Sequence, residues 1–160
     1  MKEIMIETTP FKNAERFRKV IKKDSGKIGS NADFLLDHID LGMIRRRVTV
    51  VAISGFELGF KKEISYKKIC EAGEKLGLSL CSEDIGLHFY LYYKKDYSVG
   101  NSILVAAKKP LYDYNNGEEL AFCMYPGEFR ESWLHTSLIK DKVSPETVII
   151  FVKNEENIII

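Results

Sequence analysis

The sequence predicts an α+β domain in which three helices of the N-terminal half pack on one face of a mostly antiparallel sheet of five or six strands. Before Gly77, apolar residues recur mainly at the spacing of helices, and after Gly86 they alternate with polar ones, as in strands. The later strands follow one another through short turns, which favours antiparallel neighbours. With 160 residues, 45% hydrophobic and 29% charged, the chain has the length and composition of one globular domain, residues 1–160.

The first two helices are predicted from their starts and their apolar spacing. Thr9 can cap the first helix, with Pro10 at the first helical position. After a break at 24–30, Ser30 or Asn31 can cap a second, short helix. The apolar positions at helical spacing are Phe11, Ala14, Phe17, Val20/Ile21, Phe34, Leu35 and Ile39.

A strand and a third helix follow. The segment RRRVTVVAI (45–53) is rich in β-branched residues and predicts a strand. Ser65 can cap a helix over 66–76, and Gly77 is well placed to end it in the left-handed conformation. The apolar positions of this helix are Tyr66, Ile69, Ala72/Gly73 and Leu76.

The second half of the chain predicts a series of strands, because β-branched and aromatic residues dominate its apolar runs. The predicted strands are 87–93, 102–109, 118–125, 132–139 and 147–152. Asn115-Asn116-Gly117 is a strong hairpin signal between two of them. The tail 154–160 could add an edge strand, and we expect its last residues to fray.

Charge and cysteine content narrow the classes of protein. Twenty-four Lys and Arg against 23 Asp and Glu give a net charge of +1 and no general attraction to nucleic acid. No apolar run approaches the ~20 residues of a membrane span, and the N-terminus lacks the apolar core of a signal peptide. The three cysteines, without CxxC spacing, indicate reduced thiols. We therefore expect a cytoplasmic protein with no metal, cofactor, membrane or nucleic-acid partner, of open oligomeric state.

The most distinctive pattern surrounds the motif LGLSLC. It comprises GKIGSNADFLL (26–36), VTVVAISGFELGF (48–60), ISYKKICEAGEKLGLSLCSEDIG (64–86), the strand ending at Leu91 and Tyr93, and Trp133-Leu134. Over most of 26–135 the chain thereby resembles a family of small bacterial proteins of uncharacterised function. The family carries two prolines and an arginine where Ser82, Leu87 and Tyr90 stand here. The resemblance implies a bacterial origin and one domain, and it implies no activity.

A contact surface is predicted on the polar face of the sheet. Alternation along 87–93 would direct His88, Tyr90 and Tyr92 to that face and Leu87, Phe89, Leu91 and Tyr93 to the core. Trp133 and His135 share one face of their strand, and such rings suit a polar planar ligand. The chain has no GxSxG, HExxH or glycine-rich phosphate motif. We therefore predict a non-catalytic binding or accessory domain that binds a protein or small molecule. Its predicted contact residues are His88, Tyr90, Tyr92, Trp133 and His135.

Two other functions stay open. One is a small hydrolase or nuclease in which Asp84 and either His88 or His135 form an acid–base pair, since a carboxylate can orient an imidazole that titrates near neutral pH. The other is a partner protein, such as an antitoxin or immunity factor, that pairs through a sheet edge or its tail. A purely structural role would also explain these residues. In that case the segment connects a helix to a strand, Asp84 caps a turn and Gly86 supplies a positive φ.

Overall fold

The computed structural model describes residues 1–23, 26–42, 44–95, 102–127 and 131–158. These residues form four helices and an eight-stranded sheet, so the α+β class is confirmed. The helices are α1 (Ala14–Lys23), α2 (Ser30–Leu35), α3 (Tyr66–Lys75) and α4 (Glu83–Tyr93). The strands are β1 (Lys2–Thr8), β2 (Gly26–Ile28), β3 (Arg46–Ser54), β4 (Ile103–Val105), β5 (Leu111–Tyr112), β6 (Glu119–Pro126), β7 (Ser132–Leu138) and β8 (Val148–Asn157).

The sheet is mixed and has more strands than predicted. Its order is β1-β3-β8-β4-β6-β7-β2, with β5 paired beside β6. The β4–β8 and β2–β7 pairs are parallel, and the others are antiparallel. The last strand enters the middle of the sheet between β3 and β4, so strands far apart in sequence become neighbours. Short consecutive turns could not predict these pairings.

Helices cover both faces of the sheet, not one face as predicted. Residues of α1, α2 and α4 join one core, which includes Phe17, Leu35 and Phe89. Tyr66 and Ile69 of α3 belong to a separate core on the opposite face. Alternation along β3 divides its side chains between them: Val48, Val50 and Ala52 face the first core, and Val51 and Ile53 face the second.

The segment 87–93 is helical, so the strand predicted there is wrong. Eight of the 11 residues of α4 are buried, and its apolar and aromatic side chains are distributed around the helix instead of along one face. A helix buried all round has no amphipathic period for the sequence to display. Gly86 lies inside this helix and is not among the glycines with positive φ. Ser82 precedes its first residue, and Glu83 and Asp84 in its first turn suit the positive end of the helix dipole.

The third helix agrees best with its prediction. The Ser65 hydroxyl accepts a hydrogen bond from the Lys68 amide at 3.4 Å, and Gly77 has a φ of 81° just beyond the helix. The first helix begins four residues after Pro10, at Ala14, where the Asn13 side chain accepts from the Arg16 amide.

Several strand boundaries also differ. β1, β2 and β5 were not predicted, the strand at 102–109 is limited to β4, and β8 continues through Asn157 into the predicted tail 154–160. The hairpin at 115–117 is confirmed as the turn between β5 and β6, with Gly117 at φ 70°. Residues 24, 25, 159 and 160, which belong to the predicted break and tail, lie outside the described residues. None of the described helices has the length and apolar character needed to cross a bilayer.

Candidate functional site

Helix α4 removes part of the predicted contact surface. His88 is 6% exposed and Tyr90 is 0% exposed, while Tyr92 is half-buried. The Tyr90 hydroxyl lies 2.9 Å from the Ser132 carbonyl oxygen and 3.3 Å from that of Lys27, which fixes the ring beneath β7 and β2. The solvent-exposed strand face that was predicted to carry His88, Tyr90 and Tyr92 is therefore absent, because this segment is a largely buried helix.

A buried charge pair joins the start of α4 to the sheet. The Asp84 carboxylate, 5% exposed, accepts hydrogen bonds from the Arg46 guanidinium and, at 2.7 Å, from the Ser82 hydroxyl. Arg46 also donates to Glu155 of β8 at 2.7 Å. Burial opposes the charge of Arg46, but its hydrogen bonds with Asp84 and Glu155 raise its pKa above the ordinary value. Both oxygens of Asp84 are thus engaged, and the contact with Arg46 holds the start of α4 against β3.

His88 lies one turn after Asp84 and stacks on Phe11, with ring centroids 5.4 Å apart. Burial lowers the pKa of His88 to about 4, and the charge of Arg46 adds to this effect while that of Asp84 opposes it. The imidazole is therefore neutral at pH 7. His135 lies across the sheet from α4. This geometry does not favour an acid–base pair of Asp84 with either histidine. The His88 imidazole is buried in the core, and the His135 imidazole lies on the opposite face of the sheet.

A groove lies between the end of α2, the start of α4 and the segment 108–114. Its larger part has a volume of about 480 Å³ and its smaller part about 170 Å³. Both parts are lined by Glu83 and Lys109, so they adjoin. The larger part lies within the ~300–1,000 Å³ typical of small-molecule sites. We call this cavity the tyrosine groove, defined by Phe34, His38, Glu83, Lys109, Tyr112 and Tyr114.

Aromatic rings form one wall of the tyrosine groove. The Phe34 ring stacks on His38 at a centroid distance of 4.4 Å and contacts the tilted ring of Tyr114 at 4.8 Å. Tyr112 and Tyr114 are 56% and 77% exposed, respectively. Large rings that remain this open offer their π-faces to a planar or cationic ligand.

Opposite charges line the same cavity without neutralising one another. Glu83 accepts a hydrogen bond from the Asp40 amide at 2.9 Å through one of its oxygens. Among the described residues, neither Glu83 nor Lys109 takes part in an ion pair. Lys108 lines the smaller part beside Lys109. The groove thus presents an acceptor and a cation that a bound molecule can engage at the same time.

A second aromatic arrangement lies on the neighbouring strands β6 and β7. The His135 ring lies between those of Tyr125 and Trp133, with both centroid distances at 5.2 Å. We call these three residues the ring row. Trp133 and His135 share one face of β7, as predicted, and Leu134 between them is buried in the core on the other face. Tyr125 is 37% exposed, and burial lowers the pKa of His135.

Sequence reasoning missed most of the tyrosine groove. The sequence patterns indicated no role for Lys109, Tyr112 or Tyr114. A usable signal was present in PLYDYNNG (110–117), where two tyrosines alternate with turn-forming residues and follow no apolar period. Aromatic residues that a turn holds outside the core are candidates for ligand contact.

No family model matches this chain, and neither a curated protein nor a solved structure matches it significantly. Within the described residues, no three His, Cys, Asp or Glu side chains form a group that could hold a metal ion. The geometry and chemistry of the cavities are therefore the available indications of function.

Proposed function

We propose that this chain is a non-catalytic binding domain that holds a small planar ligand in the tyrosine groove. The main support is the combination, in one cavity of about 480 Å³, of exposed aromatic rings with the Glu83 carboxylate and the Lys109 ammonium group, neither of which forms an ion pair with another described residue. The bacterial origin and cytoplasmic location that the sequence implies belong to the same proposal.

The groove fits a ligand with complementary ends. A hydrogen-bond donor or positive charge would meet Glu83, and an anionic group would meet Lys109, with Lys108 close by. A flat ring would stack against Tyr112 or Tyr114, an arrangement worth about 0.5–1.5 kcal/mol beyond the area it buries. Aromatic amino acids and nucleoside monophosphates both have this distribution of groups, and they are the classes we favour.

Binding can be tested by titrating isotope-labelled protein with L-tryptophan and with adenosine monophosphate. We expect backbone amide signals of the groove residues to shift with at least one of these ligands. Replacing Tyr114 by Ala should weaken that binding about tenfold, because the ring supplies stacking surface. The substitution should leave thermal stability unchanged, since the side chain is 77% exposed.

Tyr125→Ala is the matched control, because it removes an exposed tyrosine from the ring row instead of the groove. It should leave the groove signals and the affinity unchanged. The proposal fails if neither ligand shifts the groove amides at millimolar concentration, or if Tyr125→Ala and Tyr114→Ala weaken binding equally.

The ring row is a second candidate surface for a planar ligand, and its three consecutive rings support this reading. Trp133 is the single tryptophan of the chain, so its emission reports contact at this surface. A stacked ligand should quench that emission, and His135→Ala should reduce the quenching. Emission that is unchanged by a ligand that shifts the groove amides would assign binding to the tyrosine groove instead.

A further inference from the structure

A separate groove runs beside the first turns of α1. It has a volume of about 530 Å³ and is lined by Thr9, Pro10, Phe11, Lys12, Arg16, Lys19 and Val20. None of these residues belongs to the tyrosine groove or to the ring row. We call it the cationic groove.

The charges of this groove all have the same sign. Lys12, Arg16 and Lys19 line it, and no acidic side chain does. None of the three forms an ion pair within the described part of the chain. Arg18, on another side of the helix, differs in this respect, because it pairs with Asp33 at 2.7 Å and with Asp37 at 2.9 Å.

The spacing of the cations gives the groove a direction. Lys12 lies just before α1, and Arg16 and Lys19 follow it at spacings of four and three residues. Arg16 and Lys19 lie on one side of the helix, about 4.5 Å apart along its axis, and Lys12 extends this row beyond the start of the helix. A single small anion would contact only part of this row, whereas an extended acidic segment would contact all of it.

The floor of the groove is apolar. Phe11 is half-buried because its ring packs edge-on against Phe17 and stacks on His88, which holds it in place. Val20 is 39% exposed, and Pro10 completes the floor. A partner that places an apolar side chain between Phe11 and Val20 would gain hydrophobic contact in addition to charge pairing.

We propose that the cationic groove binds an acidic peptide segment of a partner protein, with one apolar side chain seated between Phe11 and Val20. Charge complementarity supports an anionic occupant, and the combination of a linear row of cations with a narrow apolar floor favours a peptide. A nucleic acid is less well matched, because the chain as a whole carries a net charge of only +1. A membrane is also less well matched, because only Val20 among the apolar lining residues is an exposed large hydrophobic side chain.

The probe is a fluorescein-labelled peptide of Glu and Asp residues with one central Leu, measured by anisotropy against the full chain at low salt. We expect saturable binding that weakens as sodium chloride is added, because exposed charge pairs are screened. Replacing the central Leu by Ser in the peptide should reduce the affinity severalfold. Neutral peptide, with Gln and Asn in place of the acids, should not bind.

The test variant carries Lys12→Gln, Arg16→Gln and Lys19→Gln, and it should lose at least about tenfold in affinity. All three side chains are exposed, so circular dichroism should show unchanged folding. The matched control removes three exposed lysines elsewhere, with Lys61→Gln, Lys62→Gln and Lys67→Gln, and it should bind as the native chain does.

Three results would overturn the proposal. One is equal loss of affinity in the two triple variants, since that would make the attraction nonspecific. Another is no saturable binding of the acidic peptide at low salt. The third is tighter binding of single-stranded DNA or of phosphatidylserine vesicles than of the peptide, which would assign the groove to a different class of partner.

Discussion

Gly73 sets how closely α3 approaches the sheet. A Cβ at this position would overlap the ring of Phe151 on β8, with the ring Cδ1 at 2.7 Å. Phe151 is fully buried, so its ring has little room to withdraw. The residue is therefore required to be small by packing, although glycine is a poor helix former.

Gly73→Ala is expected to destabilise the protein by up to about 2 kcal/mol. Alanine favours the helix by about 1 kcal/mol, but overpacking a full core costs about 1–3 kcal/mol and should outweigh that gain. Urea unfolding of Gly73→Ala, Phe151→Leu and the double variant measures both terms. The double variant should be more stable than the sum of the single effects predicts, because the smaller side chain makes room for the methyl group. Simple additivity would mean that the ring is not the obstacle.

The buried imidazole of His88 makes stability depend on pH. Its pKa is lowered from 6.5 to about 4 in the folded protein, so the unfolded chain binds this proton first. Folding stability from this residue is therefore complete above pH 6.5 and is lost as the pH falls towards 4. A shift of this size corresponds to about 3 kcal/mol.

His88→Gln should flatten this part of the stability profile. Chemical denaturation at a series of pH values between 7 and about 4 should give a smaller slope for the variant than for the native chain. His38→Gln is the control, because His38 is exposed, and it should keep the native slope. If His88→Gln retained the full acid sensitivity, the carboxylates alone would account for it.

At the scale of elements, α4 shows where pattern reasoning fails and why. The segment LHFYLYY (87–93) alternates by type, and tyrosine and phenylalanine favour strands, so both local signals indicated a strand. The chain nevertheless forms a helix, because a segment enclosed by β1, the sheet and α1 can bury its side chains in every direction. By contrast, one face of α3 is exposed to solvent. Its apolar period, its N-terminal cap at Ser65 and its C-terminal glycine, Gly77, could therefore be predicted from the sequence.

Tyr66 couples the start of α3 to the end of β4. Its hydroxyl donates to the Val105 carbonyl at 3.1 Å and accepts from the Ala107 amide at 2.8 Å. Tyr66→Phe should therefore cost about 1–3 kcal/mol, since it leaves a partly buried backbone N–H and a carbonyl without this partner. Tyr114→Phe removes a hydroxyl that is open to solvent, and it should have no measurable effect in the same thermal unfolding experiment. Equal stability of Tyr66→Phe and the native chain would mean that water replaces the hydroxyl.

At the scale of the whole molecule, the sequences of the central strands partly predict a sheet that is covered on both faces. The segments VTVVAI (48–53) and TVIIFV (147–152) are almost continuously apolar, as strands buried on both faces usually are. A sheet with one face exposed to solvent would show polar residues at alternate positions. These two apolar runs therefore indicate that helices do not cover one face alone. Strand order could not be read in the same way, because β8 enters between strands that are remote in sequence.

The candidate sites likewise differ in how far local sequence patterns could predict them. The shared face of Trp133 and His135 follows from the two-residue period of a strand, and it was predictable. The tyrosine groove was not, because Phe34, Glu83 and Tyr114 come from three segments that only the tertiary fold brings together. Local patterns thus identified faces of single elements, whereas the cavity between elements required the packing of the whole chain.

The central position of β8 leads to a prediction about local opening. Ile149 and Ile150 are buried and pair with both β3 and β4, and the next residues, Phe151 and Val152, are also buried, with Val152 bridged to Ser79. By contrast, Asn154–Asn157 are exposed and pair only with β3 in the described part of the chain. The end of β8 can therefore open without unfolding the sheet, while its centre can exchange amide protons only when the core opens. Hydrogen exchange should show protection at 149–152 that is at least about a hundredfold higher than at 154–157. Comparable protection along the whole strand would mean that something covers the outer edge of β8 in solution, and dilution would then test whether that cover is a second copy of the chain.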